Sequence, residues 1–184
     1  MTHPLIKIAA ISILTSCISM SASAGETDFH AGTVFPEFGN VAAVDSDFRI
    51  PKRAKFKVLF DATKGADAGE INRSLNTIAR FMNMHAEAGV PEKNMKAAIV
   101  FHSKGSFDLT KASYYGKKFE GSENANAGIV KALTDKGVRI ILCGQTAAYY
   151  DISNEDLLPG VEMALSAMTA HALLQQQGYT LNPF

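Results

Sequence analysis

The chain has 184 residues, 47% of them hydrophobic, with 18 basic and 18 acidic side chains. This composition is typical of a packed globular protein and excludes a disordered or low-complexity chain. A net charge of zero argues against a nucleic-acid partner, because phosphate binding requires an excess of basic residues. The two cysteines form no CxxC motif and no cluster with histidine, and no phosphate-binding glycine motif is present. The sequence therefore predicts neither a metal site nor a cofactor.

Residues 1–24 have the pattern of a signal peptide. Lys7 precedes a short apolar segment, and Ala22-Ser23-Ala24 matches the small-residue site that signal peptidase cleaves. Serine and threonine residues interrupt the apolar segment, which is too short to predict a membrane span. We therefore expect export to the periplasm and no membrane span in the mature chain. The alternative is lipidation at Cys17, since residues 14–17 resemble a lipobox.

The mature chain is expected to have two parts. Residues 25–54 show no hydrophobic period but contain four phenylalanines, which predicts an irregular N-terminal arm packed on the domain or on a neighbouring subunit. Residues 55–184 have the regular pattern of one folded domain. Loss of the signal peptide leaves Cys143 as the only cysteine. In an oxidising compartment a lone thiol is buried and inert, paired with another molecule, or kept for its reactivity.

Short apolar runs alternate with helical patterns from residue 56 onward. The runs predict strands at 56–60, 97–101, 138–142, 161–163 and 179–181. The first intervening helix is predicted to begin at a capping box of Asp67 and Glu70, which places Ile71 on its apolar face. Further helices are predicted near 110–117, 122–137 and 165–177. The last of these is expected to point Leu165, Met168 and Ala172 inward.

Strands that alternate with helices form βαβ units, whose right-handed crossovers place the strands in parallel. The sequence therefore predicts an α/β protein with three layers, in which a mostly parallel sheet has helices on both faces. Asp61, His102 and Cys143 directly follow the first three predicted strands. The carboxyl ends of parallel strands share one edge, where open α/β sheets bind their ligands. We expect a carboxylate, an imidazole and a thiol at that edge.

The sequence allows two interpretations of Cys143. Gly144 permits close approach of the backbone, and a helical turn that begins there would favour a thiolate and lower the pKa of the cysteine. Alternatively, Cys143 is a small apolar residue at the end of a buried strand. His102 can stabilise a thiolate and transfer protons, or it can bond only to backbone. Gln145 can orient a substrate or satisfy a loop carbonyl.

Several segments resemble the DsrE/DsrF-like family of small sulfur-relay proteins, over about residues 55–181. They are Lys57-Val58-Leu59-Phe60-Asp61, Ile99-Val100-Phe101-His102, Asn124-Ala125-Asn126, Leu158-Pro159-Gly160-Val161 and, most specifically, the segment from Gly137 to Gln145 that contains Cys143-Gly144-Gln145. The resemblance implies a three-layer α/β fold and assembly into trimers or hexamers. It also implies a cysteine that carries sulfur as a persulfide, and Cys143 matches that role.

The leading hypothesis is an exported sulfur carrier of sulfurtransferase-like type that exchanges sulfur with donor or acceptor proteins. Its site contains Cys143 and His102 as catalytic residues and Asp61, Gly144 and Gln145 as ligand-binding residues. The alternative is a non-catalytic oligomeric module of the same fold that binds a small ligand beside Cys143.

Overall fold

A single parallel sheet organises the chain. The computed structural model describes residues 28–183, so the predicted signal peptide and Cys17 lie outside the described residues. The sheet has the order β4-β3-β2-β1-β5, and every neighbouring pair is parallel. Its strands are β1 (Phe56–Ala62), β2 (Met95–Phe101), β3 (Arg139–Cys143), β4 (Val161–Ala164) and β5 (Thr180–Asn182).

Helices cover both faces of this sheet. They are α1 (Arg73–Glu87), α2 (Ala112–Lys118), α3 (Asn126–Asp135), α4 (Gly144–Tyr149) and α5 (Ala167–Gln176), with short 3-10 helices at Glu92–Asn94, Ser103–Leu109 and Asn154–Asp156. The chain steps from β1 to β4 in one direction and then returns to β5 beside β1. Right-handed crossovers therefore place α5 on the opposite face from α1 and α3. The predicted three-layer α/β fold is confirmed. Within residues 28–183, no helix has the length and apolar character needed to cross a membrane.

Alternate residues of the central strands enter two separate cores. Phe60, Ile99 and Ile140 pack against α1 and α3 in the larger core. On the other face, Leu59, Val100 and Ile141 pack against Ala170 and Leu174 of α5. Because both faces of the sheet are covered, the strands are continuous apolar runs. The same alternation decides which side chains face α5 at the carboxyl edge.

The first helix begins later than the sequence predicted. Asn72 is its N-cap and accepts a hydrogen bond from the Ser74 amide, whereas Asp67 and Glu70 only form a turn before it. Ile71 lies outside the helix and is exposed, so its predicted position on the apolar face was wrong. The buried Asn72 side chain is held by tertiary contacts that a local capping pattern does not contain.

Those contacts form a buried polar network beneath the β1–α1 loop. The Asn72 side-chain amide donates to Asp108 Oδ2 at 2.6 Å, and the Ala66 amide donates to the same oxygen at 2.9 Å. The backbone amide of Asn72 in turn donates to Asn126 Oδ1 at 2.7 Å. Burial raises the pKa of Asp108, although the hydrogen bonds from Asn72 and Ala66 oppose that shift. The loop that follows Asp61 is therefore fixed by side chains from three separate segments.

The orientation of α5 also differs from the prediction. Its inward residues are Ala170 and Leu174, whereas Leu165, Met168 and Ala172 are exposed. The apolar residues of this helix do not fall on one face, so the hydrophobic pattern left the rotation of the helix undetermined. Packing of the small Ala170 close to the sheet decided that rotation.

Residues 29–54 run as irregular backbone over α1, with one antiparallel bridge between His30 and Val41. Asn83, a fully buried residue of α1, attaches this segment. Its Oδ1 accepts from the Val34 and Phe35 amides, and its Nδ2 donates to the carbonyls of Phe35, Phe38 and Gly39. One side chain therefore satisfies five backbone groups of the segment.

We expect Asn83→Asp to destabilise the protein by at least about 2 kcal/mol, because a carboxylate cannot donate to the three carbonyls and leaves those of Phe38 and Gly39 without this donor. Chemical denaturation measures this change, and limited proteolysis within residues 29–54 shows whether the arm detaches. Asn76→Asp is the matched control, since Asn76 Oδ1 accepts from the Gly39 amide and a carboxylate preserves that bond. Equal stability of the two variants would contradict the anchoring role of Asn83.

Candidate functional site

Three polar side chains meet at the carboxyl edge of the sheet, on the face that α5 covers. Leu59, Val100 and Ile141 face α5, and the residues two positions further along are Asp61, His102 and Cys143. Side chains alternate between the faces of a strand, so these three also project toward α5. Asp61 is within β1, His102 directly follows β2, and Cys143 ends β3. The sheet therefore brings the three predicted residues to neighbouring positions.

Cys143 is the last residue of β3 and the N-cap of α4. It is buried, with 6% of its surface exposed, and it is not in a disulfide. The backbone amides of Thr146 and Gln145, and that of Ala167 at the start of α5, act on the sulfur as donors that lower its pKa, although the Cys143 side chain makes no capping hydrogen bond of strict geometry to α4. The Thr146 hydroxyl is a further donor. The predicted helical turn after Cys143 is present, and a second helix start joins it.

These donors determine the ionisation of the thiol. Burial alone raises the pKa of Cys143, because it disfavours the charged thiolate. The hydrogen bonds from Thr146, Ala167 and Gln145 together outweigh burial, so the pKa of Cys143 lies below its ordinary value. An apolar cysteine that merely ended a buried strand would lack these donors and would have a raised pKa. The site therefore increases the thiolate fraction of a cysteine that is almost fully buried.

Thr146 connects the thiol to the loop after β2. Its hydroxyl oxygen accepts a hydrogen bond from the Ser103 amide at 3.3 Å, while the hydroxyl group also lowers the pKa of Cys143. Ser103 has a φ of 53°, which lies in the left-handed region that residues other than glycine rarely adopt. This conformation turns the backbone just after His102. Thr146 therefore holds the segments that carry His102 and Cys143 in a fixed relation.

Asp61 lies between two histidines. His102 Nε2 is 3.1 Å from both carboxylate oxygens of Asp61, and His171 Nε2 is 2.8 Å from Oδ1. All three side chains are partly exposed, at 34% for Asp61, 28% for His102 and 17% for His171. We call these residues the Asp-His-His cluster. The ring of His102 is thus bonded to Asp61, and the donors that lower the pKa of Cys143 are amides and a hydroxyl, not an imidazole.

His171 is the site residue that the sequence did not reveal. In the sequence it has no visible partner, because Asp61 is 110 positions away. The structure brings the two together because α5 crosses back over the sheet and places His171 above the end of β1. Its position next to the inward-facing Ala170 was the only local signal, and the wrong rotation predicted for α5 hid it.

Gly144 and Gln145 contact the end of β4. A Cβ atom on Gly144 would lie 2.5 Å from the Ala164 carbonyl oxygen, so the glycine is required by close backbone packing. The Gln145 side chain is exposed and donates to the Leu165 carbonyl at 3.2 Å. That contact corresponds to the loop-carbonyl interpretation of Gln145. The backbone amide of Gln145, which bonds to Cys143, is its link to the thiol.

The described residues also bear on metal binding. Within residues 28–183, no group of three or more His, Cys, Asp or Glu side chains is arranged to hold a metal ion. In the Asp-His-His cluster both Nε2 atoms are already hydrogen-bonded to the carboxylate.

Comparisons with known proteins agree with this fold. MTH1491, a protein of unknown function from Methanobacterium thermoautotrophicum, has a TM-score of 0.53 at 23% identity, over 71% of this chain and 100% of its own. The ychN protein from E. coli has a TM-score of 0.50 at 18% identity, over 70% of this chain and 100% of its own. At these identities the likeness shows the fold alone. No curated protein matches the chain.

The family comparison is more specific than these structural matches. The sequence profile described as the DsrE/DsrF-like family matches residues 55–183, which include the five strands, the five α-helices and the whole site as described above. Because this match spans well over half of the chain, the protein belongs to the DsrE/DsrF-like family.

Proposed function

We propose that this protein is an exported sulfur carrier that holds sulfane sulfur as a persulfide on Cys143. The observation that carries the proposal is the set of donors around the sulfur. Three backbone amides and the Thr146 hydroxyl lower the pKa of a thiol that is almost fully buried. Thiolates, not thiols, attack sulfane and disulfide sulfur. Membership of a family with a sulfur-relay fold supports the same chemistry.

The proposed transfer conserves atoms and electrons. The Cys143 thiolate attacks the terminal sulfur of a donor R–S–SH, a new S–S bond forms, and the donor's S–S bond breaks. Cys143 is left as a persulfide anion, because the proton of the donor's terminal sulfur moves to the departing sulfur, and the donor leaves as R–SH with no external oxidant or reductant. Transfer to an acceptor thiol is the same exchange in reverse. The amides that stabilise the thiolate are also placed to stabilise a persulfide anion.

The burial of Cys143 is compatible with this role in an oxidising compartment. The sequence of residues 1–24 is that of a signal peptide, and cleavage after Ala24 leaves Cys143 as the only cysteine. A thiolate exposed in the periplasm is readily oxidised or paired with other thiols. With 6% of its surface exposed, Cys143 is shielded from such reactions until a donor approaches.

An exposed apolar surface on α5 and the segment before it suits a second copy of the chain. Leu165, Met168 and Leu173 are exposed at 74%, 79% and 52%. Beside them, a groove of about 230 Å³ lies between β4 and α5, and Ile141 and Leu173 are among its lining residues. DsrE-like proteins are often oligomeric, so we include a homo-oligomer in the proposal. Sulfur donor and acceptor proteins would approach the carboxyl edge of the sheet beside Cys143, outside the surface that a second copy covers.

The alternative function is a non-catalytic module that binds a small ligand at the Asp-His-His cluster. The observation that favours it is the burial of Cys143, which limits access to the sulfur. In that case the thiol would stabilise the edge of the sheet and would form no covalent adduct.

Incubation with polysulfide is expected to add about 32 Da per sulfur atom to the intact protein, and Cys143→Ser should abolish the gain because it removes the accepting sulfur. Intact mass spectrometry of protein produced from the full-length gene measures this change. The same spectrum reports export, since cleavage after Ala24 removes the mass of residues 1–24. A native protein that takes no sulfur from any donor, with a thiol that alkylates only on unfolding, would favour the binding module.

Removal of the Thr146 hydroxyl should raise the pKa of the Cys143 thiol, because the thiolate loses one of its donors. Thr146→Val removes the hydroxyl at nearly constant shape, and Thr146→Ser keeps it as the matched control. The pH dependence of iodoacetamide alkylation measures the pKa in each protein. The alkylation curve of the valine variant should move to higher pH, while that of the serine variant stays close to wild type. Identical alkylation curves for the wild type and both variants would contradict the activation of the Cys143 thiol by Thr146.

Charges placed on the α5 surface should weaken self-association, because burying a carboxylate in an apolar contact is costly. We expect a Met168→Glu, Leu173→Glu double variant to shift toward the monomer mass in light scattering. Gln175→Glu is the control, since it adds a charge to the same helix at a polar position. A wild-type protein that is monomeric at all concentrations would contradict the homo-oligomer.

A further inference from the structure

We propose that the Asp-His-His cluster is the proton-transfer component of the thiol site, with His171 and His102 as a pair of imidazoles held by Asp61. The inference rests on the proposed function and adds to it a second chemical group and a residue, His171, from a distant part of the chain. The cluster carries the proton during the exchange, whereas the amides around Cys143 stabilise the negative charge on its sulfur.

The contacts of the cluster support this proposal. Asp61 comes from β1, His102 from the segment after β2, and His171 from α5. Three distances of 2.8 to 3.1 Å join the two imidazoles to one carboxylate. All three side chains are partly open to solvent, so the cluster does not serve to fill a core. An imidazole pair on one accessible carboxylate is an arrangement able to take up and release protons.

The hydrogen bonds fix the tautomer of each ring. Asp61 as a carboxylate can only accept, so each Nε2 near it must carry the proton and donate. The Nδ1 atom of each neutral ring is then left as an acceptor. The Ser103 hydroxyl lies 3.5 Å from His102 Nδ1 and can donate to it. Each ring therefore presents a basic nitrogen on the side away from Asp61, and Asp61 balances the charge when that nitrogen is protonated.

The cluster is close to the reactive sulfur. The pairing of Phe101 with Leu142 places His102 and Cys143 at the next positions on adjacent strands, which are spaced about 4.8 Å apart. His171 lies four residues, about 6 Å, along α5 from Ala167, whose amide lowers the pKa of the sulfur. These backbone spacings place the cluster beside the sulfur, and in the proposal an intervening solvent molecule carries the proton between them.

The proton balance of the exchange then closes within the site. The Cys143 thiol gives its proton to an Nδ1 atom of the cluster, and the thiolate attacks the sulfur of the donor. As the donor's S–S bond breaks, the imidazolium returns the proton to the departing sulfur, which leaves as a neutral thiol. One S–S bond forms and one breaks, and no proton is gained or lost overall.

The test compares two disulfides that differ in their need for this proton. Bis-hydroxyethyl disulfide releases a basic alkyl thiolate, which needs a proton, whereas dithiobis(nitrobenzoate) releases a stable aromatic thiolate, which does not. In His171→Gln the amide still donates to Asp61 but cannot carry a proton. We expect the rate with the alkyl disulfide to fall by about tenfold or more. The rate with the aromatic disulfide should fall much less, because solvent can take the thiol proton before the attack and the departing aromatic thiolate needs no proton.

His102→Gln provides a second variant, with the same expectation, if His171→Gln folds poorly by circular dichroism. The matched control is His30→Gln, since His30 also pairs with a carboxylate, Glu87, at 3.2 Å but lies in the N-terminal segment. It should leave both rates unchanged. Equal losses with both disulfides, or no loss with either, would overturn the proton-transfer role.

These outcomes are separate from those that test the sulfur carrier. If polysulfide adds no sulfur to Cys143 but the leaving-group dependence appears, the carrier proposal fails and the proton-transfer cluster stands. If sulfur is added and the two disulfides respond alike in every variant, the carrier stands and the cluster proposal fails.

Discussion

Parallel pairing with a fixed register is the constraint on which this site depends. Each central strand alternates between the two cores, so the residues two positions beyond Leu59, Val100 and Ile141 must all face α5. These residues are Asp61, His102 and Cys143, and they come from three different parts of the chain. A shift of one residue in any strand would turn its polar end into the larger core, where it would be buried without partners. The buried apolar strands thus fix the register, and the register assembles the site.

The state of Cys143 results from two opposing effects. Burial disfavours the thiolate, while amides from α4 and α5 and the Thr146 hydroxyl favour it, and the hydrogen bonds prevail. These donors belong to the protein and do not reorient when charge develops on sulfur, so they cost no reorganisation in the reaction. A thiol whose pKa is lowered and whose surface is shielded combines reactivity toward a docked donor with protection from small oxidants. Gly144 makes this possible, since a side chain there would collide with the Ala164 carbonyl and separate the two helix starts.

Much of the fold was predictable because its strands are locally encoded. The five apolar runs, the parallel sheet and the position of Cys143 before a helical turn all followed from short sequence patterns. The start of α1 was not predictable in this way, since Asn72 is selected as N-cap by its contacts with Asp108 and Asn126. The buried face of α5 was not predictable either, because the apolar residues of this helix are distributed around it. In both cases the structure depends on contacts with residues that are distant in the sequence.

The sequence by itself determined the α/β architecture and placed a carboxylate, an imidazole and a thiol at the ends of three strands. A strand end is marked by a change from apolar to polar residues, which is a local property. Only the tertiary structure decided which groups those three residues contact. Asp61 meets His171, and the sulfur of Cys143 meets the Ala167 amide, because α5 crosses the sheet and rotates to bury Ala170 and Leu174. That rotation is set by packing against the sheet, which no segment of the sequence specifies alone.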